Sequence, residues 1–483
     1  MLIPNLIAHG CHEAIALPYF ESLQAMTYNL ILDVDSYKAS HWLQYPPQTT
    51  AMYSYVESRG GRYPATVFFG LQYILKQYLA HPVQDWMVDE AKAFFAAHGE
   101  PFNEAGWRYI AQDLKGKLPI RIRAIPEGTA VPVRNVLMTV ESTDPQVFWL
   151  VSWLETLLLR VWYPTTVATQ SWYLKQRIYQ ALTQTADDPE AEIGFKLHDF
   201  GARGVSSCES SGIGGMAHLV NFCGSDTVQG VVYANRYYDH PMAAYSIPAA
   251  EHSTITAWQR EGEEAAYRNM LDQFAKPGSI VAVVSDSYDL WNAIDSLWGD
   301  RLRQAVIDSG ATLVIRPDSG NPAEVVGKAL QRLDLHFGST LNQKGYKVLN
   351  HVRVIQGDGV NEASIGDILQ TVEQLGFSAS NIAFGMGGAL LQTLNRDTQQ
   401  FAMKCSEVMI AGKAIAVYKD PMTDPSKTSK RGRLALVKTE TGYETVPETP
   451  ETAPLNQLQT VYENGRLVQP CTLNEVRQRA WGR

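Results

Sequence analysis

His252 stands in the stretch YSIPAAEHSTITAW, residues 245–258, between the carboxylate Glu251 and the hydroxyls Ser253, Thr254 and Thr256. Pro248 disfavours a helix ahead of it, and Ser253 is a good N-cap for a helix running toward Trp258. This predicts His252 on a loop just before a helix N-terminus. Backbone N–H groups and the positive dipole end there favour a neutral imidazole or a bound anion. The same residues would also make a polar loop that only caps a helix.

Other residues of chemical interest recur at the ends of short apolar runs. HDFGARG supplies the aromatic Phe200 and the cation Arg203, and GSDTVQG supplies Asp226. Together they could form a slot for a flat polar ring, because a carboxylate accepts hydrogen bonds from an amide NH2 and repels a substrate carboxylate. RPDSGNP presents Arg316 beside Asp318, and QGDG presents Asp358 after Gly357. Such carboxylates can take ribose hydroxyls or hold Mg2+, but both stretches are also good turn sequences. In MGGALLQ, Gly387 and Gly388 open a helix where backbone N–H groups could approach a phosphate, with Arg396 downstream. Lys404, Lys419, Lys427 and Arg433 add cations, although Lys427 and Arg433 taken alone read as a solvated basic loop.

These residues need elements to position them. FKLHD, SIVAVV, TLVI, VRVI and NIAFG read as strands, and the tips after Asp286, Arg316, Asp358 and Gly387 recur at about 30 to 40 residues, the length of one βα unit. Four such units predict a parallel α/β array. A closed barrel collects functional groups at the C-terminal ends of its strands, and an open doubly wound sheet does the same, so both remain open at this point.

The flanking segments differ. TYNLILDV reads as a strand leading to Tyr37, MYSYVESRG as a strand ending at Arg59, and 66–79 and 85–99 as amphipathic helices. IRIRAIPEGTAVPV and VLMTVEST, 120–143, read as strands, and 148–182 as a helical stretch broken near Pro164. After residue 400 the pattern is β-rich, so the C-terminus is expected to rejoin the N-terminal lobe. The predicted domains are an extension at 1–25, a mixed α/β domain from 26–180 with 400–483, and a barrel domain over 181–399.

Composition bounds the function. A net charge of −9 argues against a dominant nucleic-acid footprint, and no apolar run approaches the ~20 residues of a membrane span. Five scattered cysteines without a CxxC pair suit reduced thiols in a cytoplasmic protein.

DSYKASH, FFGLQYIL, KLHDFGARGVSS, GSDTVQG, YSIPAAEHSTITAW, VVSDSYD, IRPDSGNP, IQGDG, AFGMGGALLQTLNRD and KDPMTDPSK, in this order from about Asp33 to Arg433, resemble the nicotinamide phosphoribosyltransferase family. The resemblance implies an irregular (β/α) barrel beside a mixed, β-rich lobe built from both chain ends, in a homodimer with shared sites. It implies transfer of a phosphoribosyl group from phosphoribosyl pyrophosphate to nicotinamide in NAD biosynthesis, coupled to ATP hydrolysis through a phosphohistidine, with Mg2+. Its motifs would make His252 the phosphorylated residue, with Asp286 and Asp318 beside it in catalysis. Phe200 and Tyr37 of the partner subunit would sandwich the ring, Asp226 would bind its amide, and Arg203 would line the same slot. Arg316, Asp318, Gly357 and Asp358 would hold the ribose end, and Gly387, Gly388 and Arg396 the 5′-phosphate. Arg59, Lys404, Lys419 and Lys427 would meet pyrophosphate or ATP. No residue is assigned as a dedicated metal ligand. One departure is Ala282, where the family has a serine. A nicotinate-preferring relative and a non-catalytic nucleotide-binding homologue are the alternatives.

The chemistry is compatible with these residues. A pyridine nitrogen is nucleophilic without a general base, so the burden falls on orienting ring and C1 and on stabilising the departing pyrophosphate.

Overall fold

Runs such as IVAVV and TLVIR carry apolar side chains on both faces, as strands buried on both faces of a sheet require. In the computed structural model, which describes residues 28–423, 428–440 and 442–482, they form one parallel sheet. The extension at 1–25 and Lys427 lie outside the described residues. The strands are β1 (Leu197–Asp199), β2 (Gly224–Ser225), β3 (Ile280–Val284), β4 (Thr312–Arg316), β5 (Val352–Gln356) and β6 (Ile382–Met386). Their order is β2-β1-β6-β5-β4-β3, and every neighbouring pair is parallel.

The two edge strands are joined by the stretch that carries His252. Tyr245 bridges Gly224 of β2, and Ala249 bridges Ala282 of β3, both in parallel sense. The Ser225 N–H donates to the Tyr245 carbonyl at 3.2 Å, and the Ala250 N–H to the Ala282 carbonyl at 3.0 Å. Pro248 has no N–H to give a ladder, yet its carbonyl accepts from the Ala282 N–H at 3.0 Å. Residues 245–250 therefore act as an irregular stave that closes a barrel. Ala282, Val314 and Ile355 are buried in its interior, with Phe200, Ile247, Ile280 and Ala383 packed against them.

The described residues divide into two units: Gln170–Tyr233 with Pro241–Thr393, which holds the barrel, and the remainder. One boundary between the units falls at residue 170, within the helix Trp162–Thr185, and 234–240 groups with the second unit. The second unit is built on a seven-stranded antiparallel sheet. Its order is Lys413–Ala416, Phe401–Ile410, Thr49–Ser58, Val136–Ser142, Ile120–Ala124, Gln459–Glu463 and Arg466–Leu467. Strands from both ends of the chain thus pair in one sheet, and IRIRA alternates buried and half-buried residues as a one-sided strand does.

Two local expectations are corrected. Within the expected strand TYNLILDV, the described residues 28–34 form no strand: the Asn29 side chain accepts from the Ile31 N–H at 3.0 Å and winds Leu30–Leu32 into a 3-10 turn, and Tyr37 lies in a second such turn, Ser36–Ser40. Nor is 66–79 one helix. Ala65–Val67 is a strand, and Gly70, at φ 98°, turns the chain before helical structure begins at Leu71.

Candidate active site

β1 delivers Phe200 to the barrel mouth. The Phe200 N–H donates to the Met386 carbonyl of β6 at 3.0 Å. Its ring lies on Gly385, where a Cβ would come within 2.0 Å of the ring, and near Gly357, where a Cβ would stand 3.6 Å away. Glycine in β6 therefore leaves the flat floor that the ring occupies.

Asp226 follows β2 and is exposed; its N–H donates to the Asp199 carbonyl at 2.9 Å, and Ser246 Oγ donates to Asp226 Oδ1 at 2.5 Å. Arg203 is exposed in the turn Ala202–Gly204, which packs close to Gly388: a Cβ on Gly204 would be 3.3 Å from Gly388 Cα.

His252 is the first residue of the helix His252–Thr256, and Glu251, not Ser253, is its N-cap. The Glu251 N–H donates to Thr254 Oγ1 at 3.2 Å, and the Thr254 N–H to the Glu251 carbonyl at 3.1 Å. The Thr254 hydroxyl, three residues on, sets the cap one turn earlier than Ser253 would. The imidazole is held at both nitrogens, with Nδ1 3.1 Å from Ser287 Oγ and Nε2 3.3 Å from Asp318 Oδ2. Arg316 Nη2 lies 3.6 Å from the same Asp318 oxygen.

The ends of β3, β4 and β5 converge here. Asp286 Oδ2 accepts from the Asp318 N–H at 2.9 Å and from Ser319 Oγ at 2.6 Å, which fixes the Asp318 loop. Asp286 Oδ1, Arg316 Nε and Gln356 Oε1 are buried without a hydrogen-bond partner. Each such atom costs ~1–3 kcal/mol, so three on adjacent strand ends point to a polar ligand that completes them. Asp358 is exposed, its carbonyl accepting from Gln356 Nε2 at 2.8 Å. Gly388 opens a helix of only 4 residues, too short for a large dipole, and a Cβ there would meet nothing within 4 Å. Of the expected site residues, Phe200, Arg203, Asp226, His252, Asp286, Arg316, Asp318, Gly357, Asp358, Gly387 and Gly388 thus belong to the barrel unit.

Tyr37, Arg59, Arg396, Lys404 and Lys419 belong to the second unit. Tyr37 is exposed. Arg59 Nε bonds Glu57 Oε1 at 3.2 Å while its Nη2 is buried without a partner. Burial holds the Lys404 ammonium below its usual range; the Glu155 carboxylate opposes this, and Arg59, Lys38 and Arg396 reinforce it. Arg59, Lys38 and Arg396 are therefore near enough to Lys404 to repel its charge. The Lys419 N–H donates to Ser429 Oγ at 2.8 Å. Arg433 is not part of a solvated basic loop: it pairs with Glu141 and lies 3.5 Å from Glu448 and 3.8 Å from Glu407.

Sequence reasoning missed Ser246, Ser287, Ser319 and Gly385. Ser287 and Ser319 sit one residue after Asp286 and Asp318, so adjacency to a strand-end carboxylate was the available signal. Nothing in the sequence marks Ser246 or Gly385. Among the described residues no three His, Cys, Asp or Glu side chains converge as a metal cage, and no described helix is long and apolar enough to cross a membrane.

The architecture, an α/β barrel with polar strand ends and a separate antiparallel sheet, is shared with solved structures. The fold matches a nicotinate-nucleotide pyrophosphorylase of Pyrococcus furiosus, with a TM-score of 0.59 at 17% identity over 94% of this chain and 95% of that one. It also matches human nicotinic acid phosphoribosyltransferase, with a TM-score of 0.56 at 16% identity over 92% of each chain. Residues 195–466 match the profile of the nicotinate phosphoribosyltransferase (NAPRTase) family, and 29–122 that of the nicotinamide phosphoribosyltransferase N-terminal domain. A nicotinamide phosphoribosyltransferase of Xanthomonas campestris pv. campestris is 60% identical over 94% of this chain and 98% of its own length. Another, from Acinetobacter baylyi, is 32% identical over 92% and 96%. The chain belongs to the nicotinate phosphoribosyltransferase family, among its nicotinamide phosphoribosyltransferase members.

Proposed function

We propose that this protein transfers the phosphoribosyl group of phosphoribosyl pyrophosphate to nicotinamide, giving nicotinamide mononucleotide and pyrophosphate in NAD salvage. One observation carries the reading: a ring floor made by Phe200 on Gly385, an exposed Asp226 and the His252–Asp318 pair are all set on the strand ends of one barrel. Phe200 stacks on the pyridine, and Asp226 accepts from its amide NH2. A nicotinate carboxylate would meet the Asp226 charge instead, which favours the amide. The pyridine nitrogen forms a bond to C1 as the C1–O bond breaks, and the electron pair leaves with pyrophosphate. Asp318 and Asp358 bind the ribose hydroxyls with Gly357 beside them, and Arg316 lies close to the sugar. Gly387 and Gly388 receive the 5′-phosphate on their backbone N–H groups.

A homodimer in which Tyr37 of the partner subunit closes the ring sandwich fits the exposure of Tyr37. Arg59, Lys404, Lys419 and Lys427 then bind pyrophosphate or the ATP phosphates. In the ATP step a ring nitrogen of His252 attacks the γ-phosphorus as the bond to ADP breaks, and water later releases phosphate. Ser287 and Asp318, one on each ring nitrogen, orient the imidazole for this transfer. Mg2+ fits the donors present, because it needs only one or two carboxylates besides substrate oxygens and waters. Asp286, with its free Oδ1, and Asp318 are the residues that would hold it, and it would neutralise phosphate charge. Four cysteines described as free thiols accord with a cytoplasmic protein.

The test is turnover of nicotinamide with phosphoribosyl pyrophosphate, with and without ATP, followed by product mass. Nicotinamide mononucleotide formed faster with ATP, alongside an acid-labile protein phosphate, supports the reading. Failure to form the mononucleotide under either condition rejects it.

A further inference from the structure

We propose that Asp199, the last residue of β1, is the positioning residue that fixes both walls of the ring slot, an inference that rests on the function proposed above. Asp199 is fully buried, so it meets no substrate itself. Its side chain and main chain nevertheless reach the two residues that define the slot. Oδ1 accepts from the Gly201 N–H at 2.7 Å, closing a side-chain turn around Phe200. Its carbonyl accepts from the Asp226 N–H at 2.9 Å. Phe200, between those two bonds, is held from the far side by its own N–H on Met386.

The turn is tightly enclosed. A Cβ on Gly201 would lie 2.7 Å from Leu391 and 3.0 Å from Asp199 Oδ1 itself, and one on Gly215 would lie 3.3 Å from Oδ2. The carboxyl thus fills a niche between Gly201 and the helix Cys208–His218. Its Oδ2 makes no close hydrogen bond, although the Thr227 side chain beside it favours the charged form and opposes the effect of burial. A half-used buried carboxyl is a costly way to fill space, and the position of Oδ1 explains its presence: it is the acceptor that holds the Phe200 turn. Without it the Gly201 N–H is orphaned, the turn relaxes, and the Phe200 ring and the Asp226 acceptor lose their fixed separation. Burial, with the charge of Asp226 adding to it, pushes this carboxyl up to about 6. A neutral carboxyl keeps an acceptor on Gly201, so the holding role does not require ionisation.

The experiment measures steady-state kinetics of Asp199→Ala and Asp199→Asn in the full-length protein beside wild type. Asp199→Ala should raise the KM for nicotinamide at least ~10-fold while the KM for phosphoribosyl pyrophosphate stays within ~3-fold. Asp199→Asn retains an acceptor for Gly201 and should restore the nicotinamide KM to within ~3-fold of wild type. An unchanged nicotinamide KM in Asp199→Ala, or an equal rise for both substrates, overturns the proposal. Should Asp199→Ala not fold, Asp199→Asn decides alone: a 10-fold rise in its nicotinamide KM overturns the proposal, and a near-native value supports it. Wild-type protein inactive on nicotinamide would remove this inference together with the function it rests on, whereas active wild type with unresponsive variants removes this inference only.

Discussion

Gly385→Ala is the sharpest perturbation of the ring floor. The added methyl would stand 2.0 Å from Phe200 Cε2 and 2.2 Å from Cδ2, against an ordinary carbon contact of ~3.5 Å. The ring must retreat by about 1.5 Å, or the strand must shift. Gly385 is buried in β6, paired to His198 of β1, so backbone movement is resisted from both sides. Overpacking of this kind costs ~1–3 kcal/mol of stability. Displacing the ring also loses most of an aromatic stacking term of ~0.5–1.5 kcal/mol on bound nicotinamide, or about 2- to 12-fold in affinity. The assay pairs thermal melting with KM for each substrate. The nicotinamide KM should rise within that range, with a lower Tm and a phosphoribosyl pyrophosphate KM near wild type. Gly357→Ala is the contrast, since its methyl would sit 3.5 Å from Asp318 Oδ1 and 3.6 Å from the ring, ordinary contact distances. A Gly385→Ala protein with wild-type Tm and wild-type nicotinamide KM would refute the reasoning that this glycine shapes the slot.

Three further outcomes follow from the same geometry. Asp226→Asn removes the charge that repels a carboxylate, so the ratio of kcat/KM for nicotinamide over nicotinate should fall at least ~10-fold; unchanged selectivity would take Asp226 out of that role. His252→Ala should abolish both the acid-labile phosphate and the stimulation by ATP while ATP-free turnover persists, and labelling equal to wild type contradicts the assignment. Asp199 has its carboxyl raised from 3.8 to about 6, so the native state binds its proton more tightly than the unfolded chain. That contribution is fully present below pH ~4 and is lost as pH rises through about 6, worth about 3 kcal/mol at ~1.4 kcal/mol per pH unit. The Tm of Asp199→Asn relative to wild type should therefore climb between pH 4.5 and 7, and a flat difference would count against the buried carboxyl.

The strand-end chemistry was legible in the sequence because runs such as IVAVV and TLVIR stop at polar tips, and a parallel sheet places all such tips on one rim. Closure of that sheet was not legible. Residues 245–250 carry Pro248 and touch each neighbour through a single bridge, so they show no period of two to read. The cap at Glu251 escaped notice because Ser253 is the better intrinsic cap, and the hydroxyl of Thr254 overrides that preference. Gly70 hid the break in 66–79 inside an apolar run that scans as helical, since periodicity does not report a positive φ. Asp199 and Gly385 looked like ordinary strand residues. Their importance lies in what stands above them, Phe200 and Asp226, and contacts of that kind carry no local signature.

The most direct test of the account is a competition in which wild-type protein meets equimolar nicotinamide and nicotinate with limiting phosphoribosyl pyrophosphate, and the two mononucleotides are counted by mass spectrometry. The Phe200 floor beside a charged Asp226 predicts nicotinamide mononucleotide in at least ~10-fold excess. Equal amounts, or an excess of the nicotinate product, would contradict it.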